Sequence, residues 1–131
     1  GKGLSRIAVQ LMRQRAKEKD FAHLIAPVRP SQKALYPLMP MSHYIRWRRE
    51  DGQLMDAWLR THEKLGARLI KVAPQAMRIA YPAEQWHEWT GLRFDWDGDY
   101  IVEGALVPVV AKDGFVTYVE PNVWMLHGVG G

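Results

Sequence analysis

The stretch Gly1-Lys2-Gly3-Leu4-Ser5 opens directly into a helical pattern, and this junction constrains the chain more than any other segment. Apolar residues recur at Leu4, Ile7, Ala8, Leu11, Met12 and Ala16, the spacing of one face of an amphipathic helix. Arg6, Arg13, Arg15, Lys17 and Lys19 fall largely off that stripe. A glycine-rich turn feeding a helix start is suited to an anion: unpaired N–H groups point outward, the helix dipole is positive there, and glycine permits close approach. An ordinary loop and helix would carry the same residues, so the turn alone does not decide the matter.

The next segment narrows the fold. Ala22 to Val28 is a short, nearly continuous apolar run that reads as an inner strand, with Pro27 marking where ladder pairing stops. Helix followed by buried strand is half of a βαβ unit, whose first strand would precede Gly1. The chain therefore reads as the later part of a larger fold. With 131 residues, 47% of them apolar and 24% charged, it has the composition of one globular domain. No apolar run reaches the roughly 18–20 residues of a membrane span. Cysteine is absent, which excludes disulfides and thiolate chemistry and makes a reducing cytoplasm the default compartment. A net charge of +4 favours an anionic ligand slightly.

Three prolines between Arg29 and Pro40 leave room only for a short helix, Ser31 to Tyr36, with Ser31 as its cap. Ser42 can cap a second short helix through Trp47. Asp56 caps a better one, carrying Trp58, Leu59, His62 and Leu65 on one side and ending at Gly66. Ala67 to Val72 and Met77 to Ala80 read as strands, and Pro82 leads into a helix, Glu84 to Trp89, stopped by Gly91. Tyr100 to Val110 and Phe115 to His127 read as strands joined by an Asp113-Gly114 hairpin, with a bulge or edge expected at Pro108 and at Pro121. Asp95-Trp96-Asp97-Gly98-Asp99 alternates carboxylates but lacks the glycine and glutamate of a calcium loop, and reads as a turn. His23, His43, His62, His87 and His127 show no metal-pair spacing, so no metal site is expected. Arg46-Trp47-Arg48-Arg49 could contact phosphate, but Glu50 and Asp51 dilute it, and a solvated basic turn is the plainer reading.

The order Gly-x-Gly-Leu-Ser, helix, buried strand, tyrosine-bearing short helices, Glu63-Lys64-Leu65-Gly66-Ala67, strand resembles the later half of the GNAT superfamily of acyl-CoA-dependent N-acyltransferases. Gly1 to Ser5 is similar to the family's pyrophosphate-binding signature, although its leading Arg/Gln would lie before Gly1 and Ser5 replaces Gly/Ala. Glu63 to Ala67 resembles the family segment in which a helix ends and the next strand begins. Tyr44 and Asp56 before that segment look most like the GNAT modules fused to nitrilase-type hydrolases. The resemblance implies an α/β mixed sheet as a single unit over 1–131: a cofactor-binding half over 1–72, then an insertion and a β-rich C-terminal extension over 73–131.

The resemblance further implies acyl transfer from acetyl-CoA or another acyl-CoA to a small-molecule amine. Gly1, Lys2, Gly3, Leu4 and Ser5 would hold the pyrophosphate, and the strand edge at Ala26 and Val28 would take the pantetheine. Tyr36, or failing that Tyr44, would protonate the leaving thiolate. The base is expected before Gly1. The alternative class is a small basic module binding nucleic acid or a protein partner without catalysis, with nucleic acid the less expected ligand. An open sheet edge predicts homodimerisation. Light scattering after size exclusion is expected to show a dimer, and a monomer at every concentration would count against that expectation.

Overall fold

The computed structural model describes residues 23–128; the Gly1–Ser5 turn and the helical pattern after it lie outside the described residues. A five-stranded sheet is built around its last strand. The strands are β1 (His23–Val28), β2 (Ala67–Pro82), β3 (Gly98–Tyr100), β4 (Val109–Lys112) and β5 (Phe115–Gly128). Three helices interrupt them: α1 (Met41–Tyr44), α2 (Ala57–Lys64) and α3 (Ala83–Thr90), with a 3-10 turn at Lys33–Leu35.

β5 is β-branched and aromatic over fourteen residues and supplies two edges for pairing. On one edge β2 runs antiparallel to it from Ala67↔His127 to Pro82↔Phe115. On the other, β1 pairs antiparallel from His23↔Gly128 to Val28↔Val123, and β4 covers Val110↔Thr117 to Lys112↔Phe115. β3 continues outward from β4. That second edge is therefore divided: Tyr118 to Asn122 face neither β1 nor β4. The division coincides with Pro121, which brings no N–H to a ladder. Opposite it β2 bulges between Ala73 and Met77, through Pro74.

Two apolar clusters arise from the two-residue period of β5. Val123 and Met125 join Val28, Tyr44, Leu54 and Leu59 under α1 and α2. Val116 and Tyr118, of opposite parity, join Trp86 and Phe94 beside α3. Burying Leu59 alone is worth about 1.5–3 kcal/mol. Leu106 lies in the first cluster while its N–H meets Tyr118 of the second, so the connection between β3 and β4 passes the break in the sheet edge.

Several expectations from sequence need correcting. β1 is not buried on both faces: Ile25 is 58% exposed while Ala26 and Val28 are buried. Pairing continues past Pro27 to Val28, because a proline is tolerated on a strand whose missing N–H faces away from the ladder. The two strands expected over 67–72 and 77–80 are one strand bent by bulges. The expected strand over 100–110 is instead two short strands separated by a loop. Ser31 does not cap a helix of its own, and α1 begins after Pro40 with no side-chain cap. The Asp113-Gly114 hairpin forms with both residues at positive φ (51° and 84°), and Gly66 at φ 94° ends α2.

α2 is pinned to β5 by histidines. His62 Nδ1 and His127 Nε2 are 2.9 Å apart and both rings are buried. Burial, with the second imidazole as a smaller cause, pushes the pKa of His62 down to about 4. An unfolded histidine titrates near 6.5, so the unfolded chain binds the extra proton first. Stability is complete above about pH 6.5 and falls as pH drops toward 4, by on the order of 3 kcal/mol. Urea unfolding between pH 7 and pH 4 should show this loss, and His62→Phe should flatten it.

Candidate active site

The segment leaving β1 turns back on itself because one carboxylate gathers it. Asp56 is 1% exposed. Its Oδ1 caps α2 by accepting from Trp58 N and Leu59 N, both at 3.0 Å. The same oxygen accepts from Ser31 N at 3.2 Å, and Oδ2 accepts from Gln32 N at 2.9 Å and from the Tyr44 hydroxyl. Ser31 Oγ in turn accepts from Trp58 N at 3.1 Å, and Gln32 Oε1 from Ala57 N at 3.1 Å. The serine expected to cap its own helix thus helps cap α2.

This arrangement separates the two candidate tyrosines. Tyr44 is 1% exposed, and its hydroxyl is committed to Asp56. Burial, followed by that hydrogen bond to a carboxylate, raises its pKa and keeps it protonated. Tyr36 is 41% exposed. Its ring stands edge-on to Trp47 at 5.0 Å and lies 6.3 Å from the Tyr44 ring. Trp47 also forms one wall of an open cleft of about 640 Å³, with Met39, Ser42, His43 and Arg46. Arg48 and Arg49 are drawn away from this cleft into ion pairs with Glu63 and Asp51, at 3.0 Å each. The basic run is thereby largely an exposed, paired turn.

A second polar group fills the break in the β5 edge. Glu120 is buried; its Oε1 accepts from Arg29 Nε and from Tyr118 Oη, both at 2.9 Å, and its Oε2 from Asn122 Nδ2 at 3.0 Å. Arg29 also donates to Gly104 O at 3.0 Å, and Leu106 N donates to Tyr118 Oη at 3.0 Å. Burial is the main cause that pushes Tyr118 up to about 12. Lys33 is fully buried beside this group, donating to Leu106 O at 2.7 Å and Tyr36 O at 2.8 Å, with its ammonium 6.0 Å from the Tyr44 ring centre. Desolvation lowers its pKa. Burying such a cation costs several kcal/mol, offset by charged hydrogen bonds worth about 1.5–3 kcal/mol each.

The side chains of Ala26 and Val28 point into the protein, so any ligand along β1 would meet its backbone. Among the described residues β1 pairs with β5 alone, on one edge. Gly1, Lys2, Gly3, Leu4 and Ser5 lie outside the described residues. No group of three or more His, Asp or Glu side chains among the described residues could hold a metal ion. Sequence reasoning read Asp56 as a cap and missed its hold on Ser31, Gln32 and Tyr44. It also passed over Glu120, although that residue is the one charge in the run Val116 to Leu126.

This geometry meets known proteins in two places. The chain is 36% identical, over a 149-residue alignment, to an arginine N-acetyltransferase of Aspergillus versicolor, covering 97% of this chain and 51% of that protein. The loading GNATL domain of CurA from Lyngbya majuscula superposes with a TM-score of 0.53 at 20% identity, over 97% of this chain and 47% of the other. The chain has a GNAT-like fold. No protein-family model matches it. The GNAT-like chain spans about half the length of the curated relative it matches. Among its described residues no helix is long and apolar enough to cross a membrane.

The carboxylate that shapes the site should dominate its stability. Tyr44→Phe is expected to cost about 1.5–3 kcal/mol, the worth of one hydrogen bond to a charged group. Asp56→Ala should cost more, since it strands the α2 cap and the Ser31 and Gln32 amides together. Denaturant unfolding of the two variants checks both size and order.

Proposed function

We propose that this GNAT-like chain belongs to an acyl-CoA-dependent N-acyltransferase that moves an acyl group from a CoA thioester to a small-molecule amine. The observation that carries this reading is the identity with an arginine N-acetyltransferase along nearly the whole chain. The partly exposed Tyr36, on the segment that leaves β1, supports it.

In the proposed reaction acyl-CoA is a substrate. The amides of Gly3, Leu4 and Ser5, with Gly1 and Lys2, hold its pyrophosphate. Its pantetheine arm runs beside Ala26 and Val28 along the edge of β1 turned away from β5, where alternation leaves the backbone groups of Ile25 and the carbonyl of Pro27 free of the β5 ladder. The neutral amine attacks the thioester carbonyl; a C–N bond forms, the C–S bond breaks, and the amine gives up a proton to a base. Tyr36 gives its proton to the departing thiolate and regains one from solvent. We assign Tyr44 a supporting part, because its hydroxyl is occupied by Asp56. The cleft walled by Trp47 is the space proposed for the acceptor, with arginine the first amine to test. The absence of cysteine fits a reducing cytoplasm.

Calorimetric titration with coenzyme A and with a short oligonucleotide separates this reading from that of a basic binding module. Coenzyme A should bind, and Gly3→Glu should abolish binding by placing a carboxylate at the anion site. Tyr36→Phe should leave that binding intact while lowering turnover by about 10²-fold or more. Oligonucleotide binding with a steep salt slope and no coenzyme A binding would overturn the proposal.

A further inference from the structure

Lys33 is a cation with no exposed surface, set in the Pro-bounded turn between β1 and Tyr36. A buried lysine is costly, and an apolar side chain of its length would fill the space without that penalty. What the ammonium adds is a fixed bridge. It donates to the carbonyl of Tyr36 at 2.8 Å and to the carbonyl of Leu106 at 2.7 Å. Leu106 is held in turn: its side chain is buried in the α2 cluster and its N–H donates to Tyr118, which donates to Glu120. Glu120 also receives Arg29, the first residue after β1. The two ends of the turn are thus tied to the same wall, Arg29 through Glu120 and Tyr36 through Lys33.

The other backbone bonds of Tyr36 are local, its N–H donating to Lys33 O at 2.8 Å and its carbonyl accepting from Met39 N at 3.1 Å, whereas the Lys33 ammonium ties it to Leu106. Its ring is partly in solvent and touches Trp47 and Tyr44 only through ring edges and tilted faces. Short segments bounded by proline depend on side-chain contacts to place them against the rest of the fold, since their own backbone bonds are local; here these are Leu35 N to Gln32 O, Tyr36 N to Lys33 O and Met39 N to Tyr36 O. We infer that Lys33 is a positioning residue: its bridge between the Tyr36 and Leu106 carbonyls sets where the Tyr36 hydroxyl stands relative to the thioester. Lys33 does not touch the reacting atoms, and its role rests on the assignment of Tyr36 as proton donor. General acid catalysis is sensitive to placement at the level of one hydrogen-bond length, so loss of the bridge acts on turnover and leaves donor binding alone.

The test is a double-mutant cycle in the complete protein, with acetyl-CoA and arginine as substrates and folding followed by circular dichroism. Lys33→Met should lower kcat about tenfold or more while KM for acetyl-CoA stays within about twofold. Adding Lys33→Met to Tyr36→Phe should cause little further loss, because the acid it positions is already gone. Losses that multiply, or an effect confined to KM, overturn the inference and leave the Tyr36 assignment standing. Full kcat in Tyr36→Phe overturns the Tyr36 assignment itself, and the role of Lys33 with it. Should Lys33→Met fail to fold, Lys33→Gln, which retains an N–H donor on a shorter stem, runs the same cycle against the same outcomes.

Discussion

One buried carboxylate decides how the first half of the described chain is arranged. Asp56 begins α2 by capping it, as its place before an amphipathic stretch requires, yet it accepts from Ser31, Gln32 and Tyr44 as well. An ionised carboxylate has about four lone-pair sites, and in water all would be solvated. Here protein donors replace the water, and they come from the segment after β1, from the end of α1 and from α2 itself. Removing any one donor leaves the others; removing the carboxylate leaves several buried N–H groups without an acceptor. The bend that presents Tyr36 to solvent and withdraws Tyr44 from it depends on that asymmetry.

The second constraint is the break in the edge of β5. A fourteen-residue strand with proline near its middle cannot pair evenly on both sides. β2 accommodates Pro121 by bulging, and on the opposite edge the ladder passes from β4 to β1 with a gap between them. The gap is closed by side chains rather than backbone: Glu120 with Arg29, Tyr118 with Leu106, and Lys33 beyond. Charged groups buried in this way stabilise little against an apolar filling. They do fix a geometry, which is what the turn carrying Tyr36 lacks by itself.

Local chemistry was legible where it was local. The Asp56 cap, the Gly66 and Gly91 stops and the Asp113-Gly114 hairpin each depend on a residue type at one backbone conformation, and each stands where the sequence placed it. Pro121 signalled its irregularity correctly. Readings failed where the deciding partner was distant. Ala22 to Val28 reads as a strand buried on both faces, yet Ile25 is exposed. Ala67 to Val72 and Met77 to Ala80 read as two strands, because nothing local reveals that β5 holds both sides of the bulge. Nothing local marks Lys33 and Glu120 as buried, since their partners Leu106 and Arg29 lie 73 and 91 residues away. The pairing of His62 with His127 was hidden for the same reason.

The functional account makes β1 and the turn after it the donor-binding edge and leaves α3, β3 and β4 as supporting structure. Hydrogen–deuterium exchange of the complete protein with and without saturating acetyl-CoA tests this directly. The account predicts slower exchange along residues 24–36 when the donor is bound, with little change over 83–112. Unchanged exchange at 24–36, or protection confined to 83–112, would contradict it.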